Sequence, residues 1–167
     1  MRLRSVVAAL GAALTACRDK PADQPLAGTP ASAVAAKIFP GALRQMPWLL
    51  GTFRGRGADG TVQEPFYERY SLADDSTLVV ESFKDSTLTG AIDTTRYEQR
   101  RDSLTNPGTS RYVAIAISAD SVTFGPLAGV KNGFTWRKGD DRAWTAVIIP
   151  PGNSAAKQRT YRMARIR

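Results

Sequence analysis

From residue 41 to residue 167 the chain holds short stretches of alternating side chains cut by turn residues, and no stretch with a long helical period. Nine such runs, rich in β-branched and aromatic residues, fall at 51–57, 64–72, 77–84, 92–103, 110–118, 121–126, 132–138, 142–149 and 158–166. Successive side chains of a strand point to opposite faces. Short runs of this kind, with turn signals every ten or so residues, predict a sandwich or a barrel. Parallel neighbours would need long, usually helical, crossovers between them, so the expected order is an antiparallel meander. The stretch 41–167 is ample for one hydrophobic core and too short for two.

Several turns predict register. Asn106-Pro107-Gly108-Thr109 suits a type II turn, in which Pro presets φ at the second position and Gly supplies a positive φ at the third. An even-numbered loop centred on Asp74-Asp75 places Phe66 opposite Phe83, Glu68 opposite Glu81 and Tyr70 opposite Val79. A three-residue loop Gly139-Asp140-Asp141 places Trp136 opposite Trp144. Aromatic pairs across strands contribute about 0.2–1 kcal/mol each. A one-residue change in either loop would turn a whole strand over, because the side-chain period is two.

The face Phe66, Glu68, Tyr70, Leu72, Val79, Glu81 and Phe83 is more apolar than its opposite, which holds Arg69, Ser71 and Ser82. If the aromatic face lines an interior, Glu68 and Glu81 are neighbouring carboxylates in a partly dry space. One of them then has its pKa raised, or an arginine lies nearby. Such a pair suits a cationic or polyol ligand, or acid–base work on a glycoside; the plain alternative is two glutamates in water. Glu68, Tyr70, Glu81, Phe83, Trp136 and Trp144 form the candidate ligand-binding set.

Other chemistry is excluded by composition. The chain has no histidine and one cysteine, Cys17. Ser-His-Asp and Cys-His catalysis and His- or Cys-ligated zinc therefore have no residues to use. Gly55-x-Gly57-x-x-Gly60 matches a dinucleotide fingerprint by letters, but it lies on or beside a strand and not before a helix. Asp74-Asp75 and Asp140-Asp141 sit in turns, where Asp serves the backbone. No catalytic residue, metal or cofactor is assigned.

Trp48-Leu49-Leu50-Gly51-Thr52-Phe53-Arg54-Gly55 resembles the opening motif of lipocalin-like barrels, in which Gly-x-Trp leads into the first strand. It is especially similar to a bacterial branch that begins Trp-Leu-x-Gly-x-Trp and continues with a Tyr-Glu-x-aromatic strand, here Tyr67-Glu68-Arg69-Tyr70. Phe53 stands where that branch has Trp, and its later His-Asp-Phe-Pro-like segment has no counterpart. Gly51 to Gly57 also resembles the first strand of nitrobindin barrels, whose iron is held by a histidine that this chain lacks. The resemblance spans most of residues 44–166. It implies an all-β, up-and-down antiparallel barrel of the lipocalin or fatty-acid-binding-protein kind, with about 8–10 strands. It also implies that Trp48, Gly51 and Phe53 close one end, with an arginine of the last strand over the aromatic. Tyr161, Met163 and Arg165 share one face of that strand, which makes Arg165 the candidate.

The first forty residues have a different character. Met1-Arg2-Leu3-Arg4 is basic, and residues 6–14 (VVAALGAAL) are apolar. As a helix that run is about 14 Å long, against a hydrocarbon core of about 30 Å, so it cannot span a membrane. A basic start, a short apolar run and small residues after it describe an export signal. Leu14-Thr15-Ala16-Cys17 resembles the bacterial lipobox. The resemblance implies cleavage after Ala16, a diacylglyceryl thioether on Cys17 and acylation of the new N-terminus with a fatty acid such as palmitate. Several acyl chains, each contributing about 0.8 kcal/mol per buried CH₂, make a lasting anchor. Arg18 follows the cysteine, where Asp would favour retention in the inner membrane of a Gram-negative cell. Residues 18–40 carry Pro21, Pro25, Pro30 and Pro40 and read as a tether. A short helix starting at Thr29-Pro30, with Val34 and Ile38 on one face, would stop at Pro40-Gly41.

The expected organisation is a signal over 1–16, a lipidated linker over 17–40 and a barrel over 41–167. Without Arg2 and Arg4 the net charge falls from +8 to +6, spread as single arginines. That reads as a solvated basic surface or as attraction to anionic lipid heads and cell-wall polymers, and not as a nucleic-acid site. The expected protein is a monomer, anchored to a bilayer through Cys17, on the outer membrane facing the periplasm if the source is Gram-negative. Its expected role is non-catalytic binding of a small apolar or amphipathic ligand. An envelope interaction module with a filled barrel, and a small hydrolase using Glu68 and Glu81, are the alternatives.

Overall fold

The computed structural model describes residues 37–58, 64–107, 112–127, 130–153 and 158–166. Cys17, the signal and most of the linker lie outside the described residues, as do Gly108 and Thr109 of the expected type II turn. Ten strands follow one another: β1 Gly51–Gly57, β2 Phe66–Asp74, β3 Thr77–Phe83, β4 Asp93–Arg100, β5 Ser103–Asn106, β6 Tyr112–Ser118, β7 Ser121–Pro126, β8 Gly133–Lys138, β9 Ala143–Ile149 and β10 Arg159–Arg165. Each pairs antiparallel with its sequence neighbours, and β10 returns to β1, so the sheet is a closed up-and-down barrel. Closure gives every strand a neighbour on each side, although β5 meets β6 only through Thr105↔Val113 and Asn106↔Tyr112.

Strand alternation decides what fills the barrel. Phe53 on β1 pairs with Glu68 on β2 and Arg165 on β10, and these residues share the inner face. The inner rows then run through Tyr70, Leu78, Val80, Tyr97, Leu104, Val122, Phe124, Phe134, Trp136, Trp144 and Met163, all buried. Their rings meet mostly edge-on, as in Tyr70–Trp144 (5.3 Å, 88°) and Tyr97–Trp136 (5.0 Å, 70°), the arrangement ring quadrupoles favour.

One end is plugged by the segment before β1. Two short 3-10 turns, Ala42–Gln45 and Pro47–Leu49, carry Leu43, Met46 and Leu49 into the core. The plug begins before residue 41: Ile38 is 2% exposed and its N–H donates to the Asp102 carbonyl at 2.9 Å. Gln99 Nε2 holds the Phe39 carbonyl at 2.7 Å. Ile38 is not helical, so the part of the expected linker helix that is described is instead irregular chain docked on the barrel.

Three sequence expectations change. The single run 92–103 is two strands, β4 and β5, turning at Arg101-Asp102 between the pairs Arg100↔Ser103 and Gln99↔Leu104. Arg101 takes the left-handed conformation (φ 55°) that Gly usually supplies, so composition gave no turn signal there. The β2–β3 register is shifted by an irregularity between Leu72 and Asp74, with Leu72 opposite Leu78 and Asp74 opposite Thr77. Asp74 Oδ1 accepts the Ser76 N–H (2.8 Å) and hydroxyl (2.7 Å), which holds the turn one residue away from the symmetric loop. Phe83 therefore pairs with Tyr67, Glu81 with Arg69 and Val79 with Ser71, and the whole of β3 is turned over relative to the expectation. Lastly, the β8–β9 loop is two residues longer than expected, so Lys138 faces Trp144 and Trp136 faces Ala146. An even shift keeps the face, and the two indoles still meet at 5.9 Å.

Candidate functional site

The two ends of the barrel do different things. At the plugged end Phe53 is fully buried and the Arg165 guanidinium lies 4.8 Å over its ring. The same guanidinium donates to the carbonyls of Leu50 (2.6 Å) and Trp48 (3.2 Å). Gly51 opens β1 at φ 127°, a conformation L side chains rarely adopt. Trp48 sits half-buried at the rim, edge-on to Trp144 at 6.2 Å, with its indole N–H on the Ala119 carbonyl at 2.7 Å. The four barrel-closing residues thus converge, although Met46 and Leu49, each 1% exposed, fill the end more completely than Trp48 does.

Above the aromatic layer lies a cavity of about 280 Å³. Its walls are unlike. Strands β2, β3 and β4 contribute Glu68, Ser82, Asp93 and Thr95 alongside Tyr70, Val80 and Tyr97, whereas β8, β9 and β10 contribute no acidic side chain, only Phe134, Trp136, Trp144, Ala146, Ile148, Tyr161 and Met163. Phe66 and Tyr161 meet edge-on at 5.7 Å and also line it. The Phe66 ring lies over Gly55, where a Cβ would fall 2.1 Å from it, so glycine at that position leaves the ring its place.

Glu68 is the charged group nearest the aromatic floor. Its Oε2 accepts the Tyr70 hydroxyl at 2.6 Å, and Ser82 Oγ reaches Oε1 only at 3.4 Å. Desolvation pushes its pKa up and the nearby Asp93 charge adds to that, while the two hydroxyl hydrogen bonds oppose it. The same burial, together with the Glu68 charge, pushes the Tyr70 and Tyr97 hydroxyls up, so both stay protonated donors at any physiological pH. Arg165 does not compensate Glu68, because its guanidinium is committed to Phe53 and to two carbonyls at the plugged end.

Of the six residues expected to bind a ligand, Glu68, Tyr70, Trp136 and Trp144 line the cavity, and Glu81 and Phe83 do not. Glu81 lies on the outer face, 3.4 Å from Arg69 Nη1. Phe83 shares that face and is covered by the Arg69 guanidinium at 4.9 Å. The structure therefore does not bring Glu68 and Glu81 together, and the carboxylate pair expected of them is not formed. Ser82 takes the place expected of Glu81, directly opposite Glu68. Asp93, Thr95 and Tyr97 were missed, although their period of two within the 92–103 run was visible.

Glu68→Gln tests this environment. The raised pKa means that, between the unfolded and folded values, the native state keeps a proton the unfolded chain has lost. Wild-type stability then falls as pH rises through that window, and the cost of charging Glu68 is fully present above it. Gln never ionises and its carbonyl still accepts the Tyr70 hydroxyl. The variant should be more stable than wild type near neutral pH, with the gap closing as pH falls below the ordinary value of 4.5. Urea titrations over a pH series would show it, and a gap independent of pH would place the carboxylate in water.

The fold and the site define a class: a closed ten-stranded antiparallel barrel, plugged at one end and hollow at the other, consistent with a lipocalin-like or fatty-acid-binding-protein-like barrel. No family model and no curated protein matches the sequence.

Proposed function

We propose that this chain is a lipid-anchored envelope protein whose barrel binds a small amphipathic molecule without transforming it. The observation that carries the reading is the cavity at the open end, mostly aromatic and aliphatic, with its carboxylates and aliphatic hydroxyls gathered on the β2–β4 side. At about 280 Å³ it lies just below the ~300–1,000 Å³ of ordinary small-molecule sites, which sets the ligand at one ring or a short chain. Native mass spectrometry of the full chain, released gently from detergent, should reveal a co-purified small molecule. Ala146→Trp, which fills the cavity from β9, should remove it. A chain that carries nothing, and takes up no small amphipathic compound when challenged with a panel of them, would overturn the binding reading.

The anchor rests on the LTAC sequence ending at Cys17. With that anchor, the proposed protein is a monomeric barrel at a bilayer surface, on the periplasmic face of the outer membrane in a Gram-negative cell, with no nucleic-acid partner. Cys17→Ser should abolish incorporation of labelled palmitate and leave uncleaved precursor on a gel. Normal labelling of that variant would end the lipoprotein reading.

A further inference from the structure

We propose that the molecule taken up by the cavity is a small organic amine, cationic at neutral pH and carrying an aromatic ring or short apolar chain. The inference rests on the cavity being a binding site and adds the chemistry of its occupant.

Charge distribution is the first argument. Lys and Arg outnumber Asp and Glu by 23 to 15 in the chain, yet among the described residues Glu68 and Asp93 line the cavity and no Lys or Arg does. The basic residues of the surrounding strands are turned away. On β1, Arg54 and Arg56 alternate with the inward Phe53 and Gly55. On β2, Arg69 pairs with Glu81 outside. Arg96 of β4 alternates with Thr95 and Tyr97, and Arg162 of β10 reaches Asp140. Arg159 is the exception, sharing the Tyr161 face of β10 and pairing with Ile148 at the exposed mouth without lining the cavity, while Arg165 is held at the plugged end. Among the described residues, a strongly basic protein thus has a cavity whose ionisable lining is Glu68, the exposed Asp93 at the mouth and the phenols of tyrosines.

Hydrogen bonding is the second argument. Glu68 meets one close neutral donor, Tyr70, and one long one, Ser82, and among the described residues no Lys or Arg pairs with it. An ammonium group beside Glu68 and Asp93 would supply that charge, and each N–H···O⁻ bond it makes is of the stronger, charge-assisted kind. Its presence would also favour the ionised form of Glu68, reversing what desolvation does. The rings of Phe66, Tyr97, Trp136 and Tyr161 offer faces that attract cations and cover apolar carbon.

Competing occupants fit less well. A fatty acid or other carboxylate would bring a third negative charge against two acids with no counter-charge. A bare divalent cation such as Ca²⁺ asks for about 6–8 oxygen ligands, which one side of an otherwise aromatic cavity does not supply. A polyol would leave hydroxyls unpaired against Ile148, Ala146 and Met163.

Three probes of matched size separate these cases by calorimetry on the full chain near neutral pH: 2-phenylethylamine, 2-phenylethanol and 3-phenylpropionate. The amine should bind at least about tenfold more tightly than the alcohol, and the carboxylate most weakly of the three. Glu68→Gln and Asp93→Asn should each narrow the gap between amine and alcohol, and together close it. Equal affinity for amine and alcohol, both lost in Ala146→Trp, would overturn the amine assignment while leaving the cavity as a binding site. An amine preference that survives both carboxyl substitutions would overturn it too, by showing that these groups do not recognise the charge. Binding of none of the three, alongside a co-purified molecule of other chemistry that Ala146→Trp removes, would overturn the amine and keep the cavity.

Discussion

Trp144→Ala should lower the stability of the barrel by about 3–5 kcal/mol, the range for truncating a buried large aromatic. Trp144 is 1% exposed and touches four rings edge-on: Trp48, Phe53, Tyr70 and Trp136. It therefore joins the plug to the cavity floor, and its removal would merge the cavity with a hole beneath it. The surrounding strands cannot collapse into that hole, because each is fixed by ladder bonds on both sides. Trp144→Phe should cost far less, within about 1 kcal/mol. The indole N–H has no protein acceptor, so phenylalanine keeps a ring in place while removing an unsatisfied buried donor. Denaturant unfolding of the two variants would test both halves. Equal losses for Ala and Phe would show that the N–H does have a partner; a loss within about 0.5 kcal/mol for Ala would show that the ring is not part of the core.

How far the site could be read from sequence depended on the parity of each error. Trp136 and Trp144 were placed on a common inner face although their loop was misjudged, because the loop was wrong by two residues and a strand repeats every two. The β2 face was legible because Phe66 and Tyr70 alternate with charged Arg69. Strand β3 gave no such pattern: Leu78, Val79 and Val80 are apolar in succession, so only the turn could assign its face. That turn hides an irregularity after Leu72, and an error of one residue sent Glu81 and Phe83 inward in expectation when they lie outside. Ser82, which stands opposite Glu68 on the polar side of the cavity, was lost with them. The tenth strand was lost for a different reason: the β4–β5 reversal sits on Arg101-Asp102, with neither Gly nor Pro to mark it.

Arg165 was legible only through the resemblance of the opening motif to lipocalin-like barrels, and its contacts explain what such an arginine does. One guanidinium covers the Phe53 ring and donates to the Leu50 and Trp48 carbonyls, more than a hundred positions earlier in the chain. Backbone bonds flank it: the Arg165 N–H meets the Arg142 carbonyl at 2.7 Å, and the Ile166 N–H meets the Thr52 carbonyl at 2.8 Å. Those bonds pair β10 with its neighbours, but they do not hold the plug. The Trp48–Leu50 carbonyls belong to the end of a 3-10 turn that has no ladder partner, so the arginine fork is what satisfies them. Arg165→Met keeps the apolar stem over Phe53 and removes the fork. It should cost about 2–4 kcal/mol, since each carbonyl left without a donor costs about 1–3 kcal/mol and the half-exposed site lets water recover part of it. Arg165→Lys should fall between Met and wild type, because an ammonium is a point charge that cannot reproduce two divergent bonds and a flat stack. Urea unfolding gives the order Arg, Lys, Met. Hydrogen exchange adds a local test: the Met46 and Leu49 N–H groups, which bond the Leu43 and Met46 carbonyls inside the plug, should exchange faster in Arg165→Met while the β6–β7 ladder is unchanged. If Met and wild type were equally stable and equally protected, the plug would be held by Ile38, Leu43, Met46 and Leu49 alone, and Arg165 would be a surface cation resting on an aromatic ring.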